Sequence, residues 1–152
     1  MKYLILLMSI FSVSAQASEI CEKLIPCGTY QNEQEVAGKK ILHEMIFTEL
    51  SSTEVKFEIA KTEDGKRSVN EAIMTFAADG TFKVTKAEGV TSAGICLANA
   101  CSMAIRPYLH NGEQNEQAIV LRFTANSVQL AKLTVDENGK TFPTDATLTK
   151  IP

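Results

Sequence analysis

Beyond residue 17 the chain alternates apolar and polar positions with a period of two. Val55, Phe57 and Ile59 interleave with Lys56, Glu58 and Ala60. Phe82 and Val84 interleave with Thr81, Lys83 and Thr85, and Ile119, Leu121 and Phe123 with Ala118, Val120 and Arg122. Successive side chains of a strand point to opposite faces, so each set lines one face of a sheet. Two stretches are less regular. Ile41–Leu50 is apolar on both faces and reads as a covered strand or as a helix, and Val128–Val135 is nearly as apolar. Glu71–Ala78 has helix-forming composition, but Asp79-Gly80 sets it directly before the Thr81–Lys86 run, which predicts strand, turn, strand.

Turn chemistry punctuates this pattern. Asp64-Gly65, Asp79-Gly80, Asn111-Gly112 and Asn138-Gly139 are Asx-Gly pairs, suited to hairpins whose two central residues need positive φ. Ser51-Ser52-Thr53 and Thr124–Ser127 add polar turns. About ten strands result, near 28–33, 39–50, 54–62, 68–78, 81–87, 94–98, 101–107, 116–124, 127–136 and 140–151. Connections this short make antiparallel neighbours, because a parallel pair needs a long crossover. The expected fold is therefore all-β: an antiparallel up-and-down meander closing into a small barrel of about 8–10 strands, which leaves no exposed edge. A two-sheet β-sandwich is the alternative.

The first residues do not fit this pattern. Lys2, an apolar run from Leu4 to Val13, and Ala15-Gln16-Ala17 have the layout of a cleavable signal peptide over residues 1–17. The run is shorter than the roughly 20 apolar residues of a spanning helix. Cleavage after Ala17 leaves residues 18–152 as one domain of 135 residues, and the loss of Lys2 takes the net charge from −3 to −4. Mild acidity of this kind disfavours nucleic acid and anionic membrane as partners, since both require dense basic patches. A periplasmic or secreted location follows from the leader.

In that oxidising setting the four cysteines, Cys21, Cys27, Cys96 and Cys101, imply two disulfides. Of the three possible pairings, Cys21–Cys27 with Cys96–Cys101 is favoured, because Leu97–Ala100 suits a tight hairpin with the two cysteines facing across it. The cysteine spacings are a poor match to a zinc site, and no metal or other cofactor is expected.

Cys27-Gly28-Thr29-Tyr30 at the first strand resembles the Gly-x-Trp opening of lipocalins, with Tyr30 in the tryptophan position. Ala146–Lys150 resembles the closing strand of the same calycin barrels. The resemblance is one of architecture along the whole chain. It implies a small apolar ligand held inside the barrel.

Candidate chemistry is sparse. His43 shares a face with Ile41, Met45 and Phe47, and reads as a ligand contact or, more simply, as a half-buried histidine bonded to a carbonyl. Glu44 points the other way and cannot orient it. His110 lies in the polar Tyr108–Asn115 link and reads as a solvated loop residue. Thr91-Ser92-Ala93-Gly94 reads as a flexible loop, with no nucleophile elbow. Glu33 with Glu35, and Asp136-Glu137, read as solvated acids. Alternation puts Arg106 and Arg122 outside the barrel.

No nucleophile, base and acid assemble, so the expectation is a non-enzymatic binding protein with no catalytic or metal site. Its pocket would be lined by His43, Phe57, Met74, Phe76, Phe82, Met103, Leu121 and Phe123. The same residues could equally fill a small barrel as its core. The alternative is a protein-interaction module, such as a hydrolase inhibitor, acting through loops 88–100 and 108–117.

Overall fold

The computed structural model describes residues 19–86, 89–110 and 113–152. The expected leader, residues 1–17, lies outside them. A five-residue helix, α1 (Glu19–Lys23), precedes ten strands: β1 (Gly28–Val36), β2 (Lys39–Ser51), β3 (Glu54–Glu63), β4 (Lys66–Phe76), β5 (Thr81–Lys86), β6 (Gly89–Leu97), β7 (Ala100–His110), β8 (Glu113–Phe123), β9 (Ser127–Val135) and β10 (Thr141–Lys150). Each strand pairs antiparallel with the next, and β10 returns to β1 to close a barrel. The meander read from the sequence is the fold; α1 carries no periodic signal over its short length.

One correction concerns the segments read as loops. Within the two segments 88–100 and 108–117, the described residues are mainly strand: Gly89–Leu97, which includes Thr91–Gly94, is β6, and the others belong to β7 and β8. Gly89, Gly94 and the polar run 113–117 obscured the alternation there. Pro107 sits in β7 where the register to β8 shifts between Ile105 and Tyr108, the kind of irregularity at which a sheet tolerates proline.

Turn use also differs in detail. Asp64-Gly65 has positive φ at both residues and forms a two-residue hairpin. Ala37-Gly38 and Ala98-Asn99 do the same without an Asx-Gly pair. At Asp79-Gly80 and Asn138-Gly139 only the glycine has positive φ, within longer turns. Gly80 donates to Ala77 and Gly139 to Asp136, while Asp79 and Asp136 side chains accept from following backbone amides. Asn111-Gly112 lies outside the described residues.

The inward face is set by register. Tyr30 lies opposite Met45, Phe47 opposite Phe57, Val55 opposite Met74, Phe76 opposite Phe82, Cys101 opposite Leu121, and Phe123 opposite Val128. These residues form one hydrophobic cluster with Ile20 and Ile25. The cluster occupies the end of the barrel that α1 covers. There Phe47 stacks on Phe57 at 4.9 Å between ring centroids and meets Phe123 edge-on at 5.4 Å, while Phe76 lies 5.2 Å from Phe82. Offset and edge-on geometries are those the ring quadrupoles favour.

Both disulfides lie at this end, with the favoured pairing: Cys21–Cys27 ties α1 to the approach to β1, and Cys96–Cys101 joins directly opposed residues of β6 and β7. The second bridge is buried in the cluster, so it braces the core rather than an exposed loop. The Tyr30 hydroxyl donates to the Pro26 carbonyl at 2.5 Å, fixing the cap to the first strand.

Candidate functional site in the open half of the barrel

The end opposite α1 is built differently. Alternation along the same strands carries polar side chains inward: Asn32 on β1, His43 on β2, Lys61 on β3, Asn70 on β4, Gln117 on β8, and Lys132 and Thr134 on β9. The inward apolar residues here differ in exposure, and Ile41 on β2 is buried. Ile59, opposite Met45, is 39% exposed, and Phe142, opposite Thr134, is 43% exposed. Solvent therefore reaches Ile59 and Phe142, whereas Met45, directly across from Ile59, is buried.

The boundary between the halves is polar and partly dry. Ser92, between Val84 and Ile105 in register, is 8% exposed, and its hydroxyl has no hydrogen-bond partner among the described residues. Gln117 is equally buried and donates from Nε2 to Thr134 Oγ1 at 3.4 Å. Both belong to one cross-strand row running Ser92, Ile105, Gln117, Thr134. Ser92 and Gln117 thus stand two strands apart, roughly 10 Å. Two residues deeper along β9, Lys132 also points inward and has no ion-pair partner among the described residues. A buried hydroxyl left without a partner costs roughly 1–3 kcal/mol, which makes Ser92 unusual for a structural residue.

The residues expected from sequence separate into two groups. Phe57, Met74, Phe76, Phe82, Met103, Leu121 and Phe123 come together on the inward face, packed against one another within the core cluster. His43 stands apart from them, half-buried, opposite Asn32 and Lys61 in the polar half. Glu44 points outward, as alternation requires. It accepts from Gln31 Nε2 at 2.9 Å and Arg67 Nε at 3.1 Å. The Gln31 bond, then that of Arg67, holds its carboxyl below the usual range against the opposing effect of burial. Arg122 is exposed between buried Leu121 and Phe123, hence outside. The side chains of Arg106 and His110 lie outside the described ones.

Sequence reading missed Ser92, Gln117, Thr134 and Lys132. Gln117, Thr134 and Lys132 lie on the same alternating face as the apolar core positions of β8 and β9, but polar residues on an inward face look like a break in the pattern. Among the described residues, no three His, Cys, Asp or Glu side chains converge as a metal site, and no helix is long and apolar enough to cross a membrane. The two disulfide-bonded pairs fit an oxidising compartment. No protein-family model and no curated protein matches the chain, and the closed ten-stranded meander is compatible with a lipocalin-like architecture.

Proposed function

We propose that this is an exported, non-enzymatic binding protein that takes a small amphipathic ligand into the open half of its barrel. The observation that carries the reading is the Ser92 hydroxyl, buried on the inward face of β6 and without a hydrogen-bond partner among the described residues. A ligand polar group bonded there removes the cost of leaving that hydroxyl unpaired. Gln117, Thr134 and Lys132 supply further donors nearby, and Lys132 favours an anionic or strongly hydrogen-bond-accepting head group. Ile59 and Phe142 offer apolar surface to the rest of the molecule. Of the lining expected from sequence, His43 belongs to this mixed surface, whereas the aromatic residues assigned to the pocket are packed together in the capped half.

Native mass spectrometry of the full chain exported to a bacterial periplasm tests this. The expected result is a bound small molecule that Lys132→Ala and Ser92→Ala each release. Protein that carries no adduct, and that binds nothing from a library of amphipathic anions by thermal shift, overturns it.

A further inference from the structure

The barrel is not zipped equally all round. Every other junction runs for at least four register pairs, but β1 and β10 share two, Tyr30 with Lys150 and Gln31 with Thr149. All of this pairing is at the capped end. Beyond Gln31, β1 continues for five residues bonded to β2 alone.

The backbone groups along this gap can be assigned. Ile151 donates to the Thr29 carbonyl at 2.9 Å, and Lys150 donates away from β1, to the Asn126 carbonyl. Odd-numbered residues of both strands therefore turn their backbone groups to the seam. Along β1 these are the N–H and C=O of Glu33 and Glu35. Along β10 they are those of Asp145 and Thr147, whereas Pro143 has no N–H to offer.

The side chains explain why the ladder stops. Continuing the register would set Glu33 opposite Thr147 and Glu35 opposite Asp145, both carboxylates on the outer face. Like charges directly opposite, about 5 Å apart, destabilise a pair. Lys40 neutralises part of this by its 3.2 Å contact with Glu33, and the described residues place no cation on Asp145.

We propose that the β1 edge at Glu33 and Glu35 is a docking site for an extended basic peptide segment, which adds as a strand where β10 leaves off. The backbone supplies the ladder, and charge selects the guest. Guest residues opposite Glu33 and Glu35 point outward and carry Lys or Arg, pairing Glu35, which Asp145 would repel, and joining Lys40 at Glu33. The alternate residues face inward beside Asn32 and Gln34 and are small and polar. A second copy of this chain is a poor guest, because its own edge would bring acid to acid. This site is independent of the small-ligand reading, since it uses the outer edge and the backbone rather than the interior.

The test uses amide hydrogen exchange by NMR, with a seven-residue amidated peptide alternating lysine and threonine as the probe. In the free protein the amides of Glu33 and Glu35 exchange fast, and saturating peptide slows both at least tenfold. The same peptide N-methylated on the amides that would face β1 fails to bind, and Glu33→Gln with Glu35→Gln weakens binding about tenfold. Asp145→Lys removes the repulsion, zips the seam and protects both amides with no peptide present. The proposal is overturned if these amides are already protected in the free protein, if the N-methylated peptide binds as well as its parent, or if protection rises only with protein concentration.

Discussion

Ser92→Ala separates stability from binding with opposite signs. The substitution removes one oxygen from a site where the hydroxyl is buried and has no partner. The β6 backbone and its pairing with β5 and β7 do not depend on that oxygen. Leaving a hydroxyl unsatisfied costs roughly 1–3 kcal/mol, and the lost packing of one atom offsets less than 1 kcal/mol of the gain. The ligand-free variant should therefore be more stable than the parent by about 1 kcal/mol, which raises Tm by roughly 3–5 °C for a domain of this size. Its affinity for the native ligand should fall about tenfold, the loss of one hydrogen bond. Urea unfolding of stripped protein measures the first effect, because a shift in midpoint at constant slope is a change in stability. Calorimetric titration with the ligand recovered by native mass spectrometry measures the second. A variant that is less stable than the parent by 1 kcal/mol would falsify the reasoning, because the hydroxyl would then be bonded in the folded protein.

Three further outcomes probe the capped half. Tyr30→Phe leaves the Pro26 carbonyl without its donor and should cost about 1–2 kcal/mol in urea unfolding. Burial raises the Tyr30 hydroxyl above its ordinary value of 10.0, so its contribution is fully present below pH 10 and is lost as pH climbs through the folded-state value; the parent should lose stability above pH 10, and Tyr30→Phe should lose less over the same range. Gly94→Ala should cost at least 3 kcal/mol and give little folded protein, since a Cβ there runs into the Ser102 carbonyl and the Phe82 ring laid over it from β5; a soluble variant with a parental melt contradicts this packing. Replacing Cys96 and Cys101 together by alanine should cost roughly 2–3 kcal/mol through lost cross-linking and emptied core volume, read as a lower urea midpoint with the strand circular dichroism retained.

The strands were legible because they are repetitive. In β5 and β8 an apolar face alternates with a solvated one, and the buried face follows from that alone; in β3 the alternation marks the inward face although Ile59 on it is exposed. Ile41–Leu50 was ambiguous between strand and helix because the outer positions Leu42 and Ile46 are half-buried beside their neighbours, which hides the alternation. The polar half of the interior was illegible for a related reason. Alternation identifies inside by hydrophobicity, so Gln117, Lys132 and Thr134 cannot be told from solvated residues until register fixes their side of the wall. The seam was beyond sequence altogether. Glu33 and Glu35 read as ordinary solvated acids, and their effect appears only once β10 returns with Asp145 to the same place.

The division of the barrel into two halves gives these features a common origin. A ten-stranded barrel encloses more width than an eight-stranded one, and side chains must fill it or leave it wet. This chain concentrates its filling at one end: Tyr30, Phe47, Phe57, Phe76, Phe82 and Phe123, the α1 residues Ile20 and Ile25, and both disulfides. Burial there is worth roughly 1.5–3 kcal/mol for each large side chain, so the capped half can stabilise strands that continue past it with a largely polar interior. Local opening free energies should follow the same division, with slow amide exchange at Phe47, Met74 and Leu121 and fast exchange at the far ends of the same strands. An inward hydroxyl without a partner and a junction left unzipped are both destabilising, and both lie beyond the capped core. A barrel filled evenly along its length would have room for neither. The segregation of apolar residues to one end is thus what leaves the other end free to bind.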